Sequence, residues 1–158
     1  MVMGTQAGPI EHDDRWILSL RGLRVTGIGV DFQLTLTLDT AWSVTLETPF
    51  QLIHGSASAK PGSLLTPGSQ DVAAALPLFG ATVLSAVAFK SGSLRMVFDN
   101  GTHLKCSTDP EFEAWQVAGP QGWRFVSLPG GGLTVRSGSG PSEKPSNPTV
   151  SEATPLTA

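Results

Sequence analysis

Apolar and polar residues alternate strictly in two stretches of this chain, and both stretches predict antiparallel strands. FQLTLTLD (residues 32–39) and LRMVFD (residues 94–99) each carry an apolar side chain at every second position. A period of two places successive side chains on opposite faces of a strand, so we expect one face to be buried and the other to meet water. The dipeptide Asn100-Gly101 follows the second stretch and predicts a type I′ hairpin, because both residues tolerate positive φ.

The rest of the chain is also strand-like from about residue 23 onward. Turn-forming Gly, Pro, Ser and Asp residues separate short apolar segments, which is typical of a sheet. The further predicted strands are LRVTGIGV, WSVTLE, PFQLIHG, TVLSAVAFK, THLKC, EFEAWQVAG, WRFVSL and LTV. In EFEAWQVAG the spacing of Phe112 and Trp115 also fits a helix, and we favour the strand.

One segment, SQDVAAALPLFG (residues 69–80), predicts a short helix. A serine is placed to cap its N-terminus, and Pro77 limits its length. A helix this short is not stable alone, so we expect Val72, Leu76 and Phe79 to pack against the sheet.

The two alternating stretches repeat each other at a constant offset. Leu34, Leu36 and Leu38 correspond to Leu94, Met96 and Phe98, 60 residues later. An old duplication and the convergence of two hairpins both explain such an offset. We predict an α+β fold, mostly antiparallel β-sheet built of two similar strand sets with one short helix. The predicted organisation is a flexible N-terminal arm (1–15), a single domain (16–136) and a disordered Ser/Pro/Thr-rich C-terminal tail (137–158).

Charge and cysteine content argue against several classes of function. The formal net charge is −3 and no Lys/Arg cluster exists, so a nucleic-acid partner is not expected. The sequence has no signal-peptide pattern and no apolar run of about 20 residues, so we expect a cytoplasmic protein that does not associate with a membrane. Cys106 is the single cysteine and can form neither an internal disulfide nor a cysteine zinc site.

The residues that support catalysis in other proteins do not combine into a reactive group here. His12 lies in an EHDD string within the predicted arm, where a metal ion would have to order a flexible segment. Glu111 and Glu113 fit a solvated strand face better than an acid–base pair. Cys106 falls on the inward side of its strand and is expected to act as a small hydrophobe. We predict no catalytic, cofactor-binding or metal-binding residue and favour a protein that is not an enzyme.

Two tryptophans indicate where a partner would bind. Trp115 and Trp123 lie close in sequence to Glu113 and Arg124. Aromatic and arginine side chains dominate the energetics of protein interfaces, whereas a Trp in the core bonds its N–H to a carbonyl. We favour a place in the core for each Trp. If a surface of the protein binds a partner, we expect it to carry Glu113, Trp115, Trp123 and Arg124.

The second half of the chain carries motifs that resemble a known family. They are DVAAALPLFG, AVAFKSGSLRMVFDNGTHLKC and DPEFEAWQVAGPQGWRFVSLPGGGLTV. These motifs resemble a set of small actinobacterial proteins known only as a domain of unknown function, with DPxxEAW and SLPGGGLxVW patterns. The resemblance covers about residues 20–136, and Arg136 stands where that pattern commonly has a Trp. It implies no activity, cofactor or catalytic residue.

The same architecture is also similar, at the level of pattern, to immunity proteins of bacterial toxin systems, which act by binding a partner. We predict a non-catalytic protein-binding module of an immunity or accessory type. One alternative is a small-molecule-binding protein or an Asp/Glu-dependent hydrolase with a cleft between the two strand sets. Another is a homodimer formed through a sheet edge.

Overall fold

The computed structural model describes residues 8–55 and 62–138, which form two antiparallel sheets around one hydrophobic core. The strands in chain order are β1 (Ile10–Glu11), β2 (Arg15–Ile17), β3 (Val25–Val30), β4 (Leu34–Leu38), β5 (Trp42–Leu46), β6 (Phe50–His54), β7 (Ser63–Leu65), β8 (Val83–Phe89), β9 (Leu94–Phe98), β10 (Thr102–Cys106), β11 (Trp115–Ala118), β12 (Arg124–Ser127) and β13 (Leu133–Arg136). The seven-stranded sheet has the order β1-β2-β8-β9-β10-β6-β7, and the six-stranded sheet has the order β13-β12-β11-β5-β4-β3. The two sheets form a sandwich.

The alternating stretches of the sequence supply the centre of the core. In β4 and β9 every second side chain is buried and its neighbours face outward, as the period of two predicts. The buried residues of these two strands are Leu34, Leu36, Leu38, Leu94, Met96 and Phe98. Phe32, expected on the same buried face, lies in the bend before β4 and is 77% exposed. The alternation therefore holds only where the chain is paired as a strand.

The sandwich is built from two units with the same order of strands. Unit 1 comprises β3 to β7 and unit 2 comprises β8 to β12. Each unit begins with a three-stranded meander and then sends its last two strands to the other sheet, so that β6 pairs with β10 and β11 pairs with β5. Each unit thus completes the sheet that the other unit begins.

Equivalent hydrogen bonds hold the two units at the point where their first strands meet. Arg24 and Thr82 form an isolated antiparallel bridge. The backbone N–H of Arg24 donates to the carboxylate of Asp39 at 3.0 Å, and that of Thr82 donates to the carboxylate of Asp99 at 2.9 Å. Both first strands also carry a register shift at the same place opposite the second strand. The two aspartates lie 60 residues apart, as the alternating strands do, whereas Arg24 and Thr82 lie 58 apart. The 60-residue offset therefore marks equivalent positions in the second and third strands of each unit, and the first strands are offset by 58.

The segment predicted as a helix (69–80) contains one 3₁₀ segment, Ala73–Leu78, and a second, Pro67–Ser69, ends where the predicted helix begins. Pro77 lies inside the Ala73–Leu78 segment and lacks the N–H group that an α-helix would need there. Within the described ranges no α-helix is present, so the predicted α+β class is corrected to a mostly β fold.

The periodicity of this segment explains why its buried face was predicted incorrectly. The buried residues are Val72, Ala75 and Leu78, which are three apart and match the three residues per turn of a 3₁₀ helix. Leu76 and Phe79, which the α-helical spacing placed against the sheet, are 55% and 62% exposed.

Part of the predicted N-terminal arm belongs to the seven-stranded sheet. β1 and β2 form a hairpin, and β2 pairs with β8 from Arg15 to Ile17. This pairing satisfies N–H and C=O groups that β8 would otherwise present as a free edge. The arm predicted over 1–15 is therefore corrected from Ile10 onward, while residues 1–7 lie outside the described part of the chain. The predicted disordered tail (137–158) lies outside it from residue 139 onward.

The hairpin predicted at Asn100-Gly101 is present, but its turn is not of type I′. Gly101 has a φ of 88°, whereas Asn100 keeps a negative φ and accepts a hydrogen bond from the backbone N–H of Thr102 at 3.0 Å. The equivalent turn of unit 1 has the type I′ geometry instead, with φ of 48° at Asp39 and 58° at Thr40.

Candidate partner-binding surface

Trp115, the centre of the surface predicted from the sequence, is fully buried between the two sheets. Its indole Nε1–H donates to the carbonyl oxygen of Gly92 at 2.8 Å, and the hydroxyl of Ser127 donates to the same oxygen at 2.8 Å. The polar edge of the ring is therefore satisfied inside the core. This confirms the core position favoured for Trp115, and a ring in the core does not contact a partner, so Trp115 is not part of the possible binding surface.

The other three predicted residues lie at the surface without forming a group around Trp115. Trp123 is half-buried against Trp16 and Phe125, with ring centroids 5.8 and 5.7 Å away. Arg124 is exposed on the outer face of the six-stranded sheet, and Glu113 is exposed in the loop before β11. The binding role of Glu113, Trp123 and Arg124 stays a prediction.

Arg124 is held by a row of polar side chains across the six-stranded sheet. Its Nη1 donates to Oε1 of Gln116 at 2.6 Å, and Nε2 of Gln116 donates to the carboxylate of Glu47 at 2.7 Å. The strand partner of Arg124 is Arg136 on β13. Of these two cations, Arg124 therefore has a hydrogen-bond acceptor within the chain, the side chain of Gln116.

The outer face of the seven-stranded sheet has a different composition, and we call it the cationic face. Its side chains alternate with those of the core along β2, β6, β8, β9 and β10. The residues that define it are Arg15, Ile53, Phe89, Arg95, Val97, His103 and Lys105. Cations, an aromatic ring and branched apolar side chains thus share one face of a rigid sheet.

Two cations of this face lie directly opposite each other on neighbouring strands. Arg95 of β9 and Lys105 of β10 are register partners, and both are exposed. Among the described residues neither side chain forms an ion pair with a carboxylate. Like charges directly opposite on a sheet are destabilising, so this pair is not explained by the stability of the fold.

The remaining cations next to Phe89 are already bound by carboxylates of the chain. Arg15 forms two hydrogen bonds with Asp14, both of 3.0 Å, and Nζ of Lys90 lies 2.6 Å from the carboxylate of Glu11. The hydrogen bond from Arg15 lowers the pKa of Asp14, and the same bond raises the pKa of Arg15. The guanidinium carbons of Arg15 and Arg95 lie 4.9 and 5.7 Å from the centroid of the Phe89 ring.

A depression of about 310 Å³ lies beside Phe89 and the cation pair. Its walls include Phe89, Ser91, Ser93, Arg95, Lys105 and Ser107. Hydroxyl groups and two cationic side chains are hydrogen-bond donors, so this concave part of the cationic face is suited to an anionic group.

Cys106, at the floor of this depression, is not suited to nucleophilic chemistry. Burial raises the pKa of its thiol to about 12, so the thiol stays protonated at neutral pH. Its Sγ approaches the backbone carbonyl of Ser107 at 3.8 Å. The structure therefore places Cys106 as a small core residue, as its inward position in the sequence predicted.

The space between the two strand sets holds the hydrophobic core and not an acidic cleft. The buried residues of both sheets form one cluster, and the buried polar or charged residues of the described chain are Thr48, Thr102 and Ser127. In the part of the chain that the structure describes, no group of three or more His, Cys, Asp or Glu side chains is close enough to hold a metal ion. No helix within residues 8–55 and 62–138 has the length and apolarity needed to span a bilayer.

The cation pair had a signal in the sequence that the Trp-based argument missed. Arg95 and Lys105 lie five residues before and five residues after Asn100. In a hairpin centred on that residue, such positions face each other across the two strands, and both are polar positions of alternating strands. A two-residue turn at Asn100-Gly101 would instead have set Arg95 opposite Cys106, so the spacing gives the pair only once the observed register is known.

The strands and motifs described above fall in a region that a protein-family model matches. The model covers residues 16–137 and describes a family of unknown function, DUF6188. No curated protein and no solved structure matches the chain. Because the matched region includes both units of the sandwich and most of the chain, the protein belongs to this family of unknown function, DUF6188.

Proposed function

We propose that this protein is a non-catalytic protein-binding module and that the cationic face is its binding surface. The observation that carries the proposal is the Arg95–Lys105 pair, exposed on an open sheet face with no carboxylate partner among the described residues. An acidic partner would relieve the repulsion between the two cations and gain two charge-assisted hydrogen bonds.

A comparison within the molecule supports a role in binding for these two residues. The equivalent positions of unit 1, 60 residues earlier, are Thr35 and Thr45, which also pair directly. The fold therefore accepts small uncharged side chains at this place. Arg95 and Lys105 add charge to the surface without being needed to build the sheet.

The residues next to the cations are of the kind that anchor protein interfaces. Phe89 is half-buried and in contact with two guanidinium groups, and Val97 and Ile53 lie further along the same face. Interfaces are enriched in aromatic residues and Arg, and apolar neighbours exclude water from the charged contacts. This combination favours a protein partner that presents both acidic and apolar groups.

An immunity-like or accessory role agrees with this chemistry, because such proteins act by occupying a partner's surface. The weak similarity of the chain to immunity proteins is one of pattern, so the role rests on the surface and not on the similarity. The proposal also includes a cytoplasmic location.

Site-specific cross-linking in cells tests the proposal with a control inside the same molecule. A photoreactive phenylalanine derivative is placed at Val97 on the cationic face or at the equivalent Thr37 on the six-stranded sheet. Both positions are outward-facing and partly exposed, so both replacements are expected to be tolerated. We expect a discrete protein adduct from position 97 and none from position 37.

Adducts of equal yield at both positions, or none at either, would contradict the proposal. An adduct between two copies of the chain would identify the partner as a second copy. That result would revive the homodimer alternative, with the sheet face replacing the sheet edge as the interface.

A further inference from the structure

We infer that the depression beside Phe89 binds a carboxylate group of the partner, so that the partner contributes an acidic peptide segment. This inference rests on the proposed function and names the chemistry at the centre of the binding surface. The acidic segment belongs to another protein and carries Asp or Glu next to an apolar residue.

Residues that carry hydrogen-bond donors line one concave place on the cationic face. Arg95 and Lys105 are direct register partners there, and Ser91, Ser93 and Ser107 are among the other lining residues. All five side chains can donate hydrogen bonds, and two of them are positively charged. A carboxylate accepts several hydrogen bonds at once and fits a guanidinium in a two-point contact.

Two cations near Phe89 in the chain or in space are paired within the protein. The guanidinium carbon of Arg15 lies 4.9 Å from the ring centroid and Arg15 pairs with Asp14, while Lys90, the residue after Phe89, pairs with Glu11. Arg95, which approaches the same ring from β9, and its register partner Lys105 have no carboxylate partner in the described chain, and we assign that partner to another molecule.

The anionic group that binds at the depression is a carboxylate or a phosphorylated side chain, and the ion pairs within the chain favour the carboxylate. The two internal pairs next to Phe89 are carboxylate pairs at hydrogen-bond distance, with separations of 3.0 and 2.6 Å. A partner that continues this pattern across the ring needs an Asp or Glu side chain and no modification. A phosphorylated segment is the competing ligand, and the experiment separates the two.

Nuclear magnetic resonance on the full 158-residue chain tests the inference with four probes. The probes are acetyl-Leu-Glu-Glu-Leu-amide, the same peptide with Gln at both Glu positions, a phosphoserine peptide of equal length, and inorganic phosphate. We expect the Glu peptide to shift the backbone amide signals of residues 89–95 and 105–107, and the Gln peptide to leave them unchanged. The shifts should decrease when NaCl is raised from 20 to 500 mM, because these charges are exposed.

A double substitution, Arg95→Thr with Lys105→Thr, introduces the residues found at the equivalent positions of unit 1. It should lower the affinity for the Glu peptide by about tenfold or more. The matched control is Arg21→Thr with Arg136→Thr, which also removes two exposed cations, neither of which lines the depression. The control should bind the Glu peptide as the parent chain does. Amide dispersion of both variants reports that they are folded.

Several outcomes would overturn the inference. These are equal shifts from the Glu and Gln peptides, equal weakening by both double substitutions, or tighter binding of inorganic phosphate or the phosphoserine peptide than of the Glu peptide. The proposed function fails separately from the inference. If the cross-link at position 97 persists in the Arg95→Thr, Lys105→Thr variant, the face binds a protein but the carboxylate site is absent. If the Glu peptide binds but no cross-link forms, the anion site stands and the protein-binding function does not.

Discussion

The two outer faces of the sandwich are equivalent in position and different in chemistry. On the six-stranded sheet the outward residues of β4 and β5 are Thr35, Thr37, Ser43 and Thr45, which we call the hydroxyl face. At the equivalent positions of β9 and β10 the cationic face has Arg95, Val97, His103 and Lys105. The inward residues of these strands are mostly large and apolar in both units, so the units differ chiefly where they meet solvent.

This difference separates what the fold requires from what it does not. Inward positions must fill one shared core, and a change there affects both sheets at once. Outward positions of an antiparallel sheet have no such requirement, so threonine and serine suffice on one face. The charged side chains at the equivalent positions of β9 and β10 agree with the contact with another molecule that we propose. Substitutions at the buried positions of the two units are therefore expected to change stability most, and substitutions at the solvent-facing positions least.

The largest effect is expected from Trp115, whose counterpart in unit 1 is Phe50 at the start of the crossing strand. Both rings are completely buried. Trp115→Ala removes a large core side chain and one of the two hydrogen-bond donors to the carbonyl of Gly92, so the free energy of unfolding should fall by about 3–5 kcal/mol. Urea denaturation measures this. A loss below about 1 kcal/mol would contradict the buried position and restore Trp115 as a surface residue.

The next-largest effect is a pH dependence of stability that comes from Cys106, because its counterpart in unit 1, Leu46, does not titrate. Burial raises the pKa of the Cys106 thiol from 9.0 to about 12. Above pH 9 the unfolded chain releases this proton while the folded chain keeps it, so the folded state loses stability as the pH rises. The slope should be about 1.4 kcal/mol per pH unit between pH 9 and 12.

Cys106→Val removes the titrating group and keeps a buried apolar side chain. The chain contains no tyrosine, so no phenol titrates in the same range. The difference in unfolding free energy between the parent chain and the variant should therefore change with pH only above about 9. Parallel stability profiles of the two proteins from pH 7 to 10.5 would show that the thiol is not buried in its protonated form.

Asp39 and Asp99 test whether the two units are held in the same way. Each carboxylate accepts one backbone N–H, that of Arg24 or of Thr82, at nearly equal distances of 3.0 and 2.9 Å. Asp39→Ala and Asp99→Ala should each lower the unfolding free energy by about 1–2 kcal/mol, because a charge-assisted hydrogen bond to the backbone is lost. Thermal unfolding of both variants measures this loss of stability. A cost at only one of the two sites would break the equivalence of the units.

The strand pattern could be predicted well because the core imposes it on the sequence. Leu34 to Leu38 and Leu94 to Phe98 alternate, since each strand has one buried face and one wet face. The spacing Gly-x-x-Val also recurs before both first strands, where Gly22 and Gly80 have φ of 87° and 85°. The same spacing also occurs at residues 27–30 and 132–135, so it marks the two units less specifically than the alternation does.

The parts that were predicted incorrectly depend on tertiary contacts. A period of three at Val72, Ala75 and Leu78 is too short a signal to separate a 3₁₀ segment from an α-helix. The strands β1 and β2 have two and three residues and exist because β8 offers them an edge. The core position favoured for Trp115 is confirmed, but composition alone does not tell an anchor from a core ring, so the surface alternative stayed open until the contacts of the ring were known. The Arg95–Lys105 pair is recoverable from spacing, but only after the hairpin register is known.

A smaller change in stability is expected from substitutions in the turns that follow β4 and β9. Thr40 is a β-branched residue in the left-handed region, with φ of 58°, whereas its counterpart Asn100 has a negative φ. Thr40→Asn places a residue that tolerates this conformation and should raise the unfolding free energy by about 0.5–1 kcal/mol.

The reverse substitution, Asn100→Thr, should destabilise the protein. Asn100 accepts the N–H of Thr102 at 3.0 Å and donates to the carbonyl of Pro77 at 3.3 Å, and threonine does not reproduce both bonds. We expect a loss of about 1 kcal/mol in differential scanning calorimetry. Opposite signs for the two substitutions would confirm that the turns differ; equal signs would show that they do not.

The smallest effect on stability is expected at the cation pair, and it returns to the comparison of the two faces. Replacing Arg95 and Lys105 with Thr removes the repulsion between them and should raise the unfolding free energy by about 0.2–1 kcal/mol at low salt. Installing the pair on the hydroxyl face, as Thr35→Arg with Thr45→Lys, should lower it by a similar amount. Both changes should vanish at 500 mM NaCl, since exposed charges are screened there. Urea denaturation at two salt concentrations measures all four values. If removing Arg95 and Lys105 instead destabilises the chain at low salt, the pair serves the fold itself and the argument for an anionic partner loses its basis. If stability rises, the free protein retains a surface that is unfavourable until something acidic binds to it.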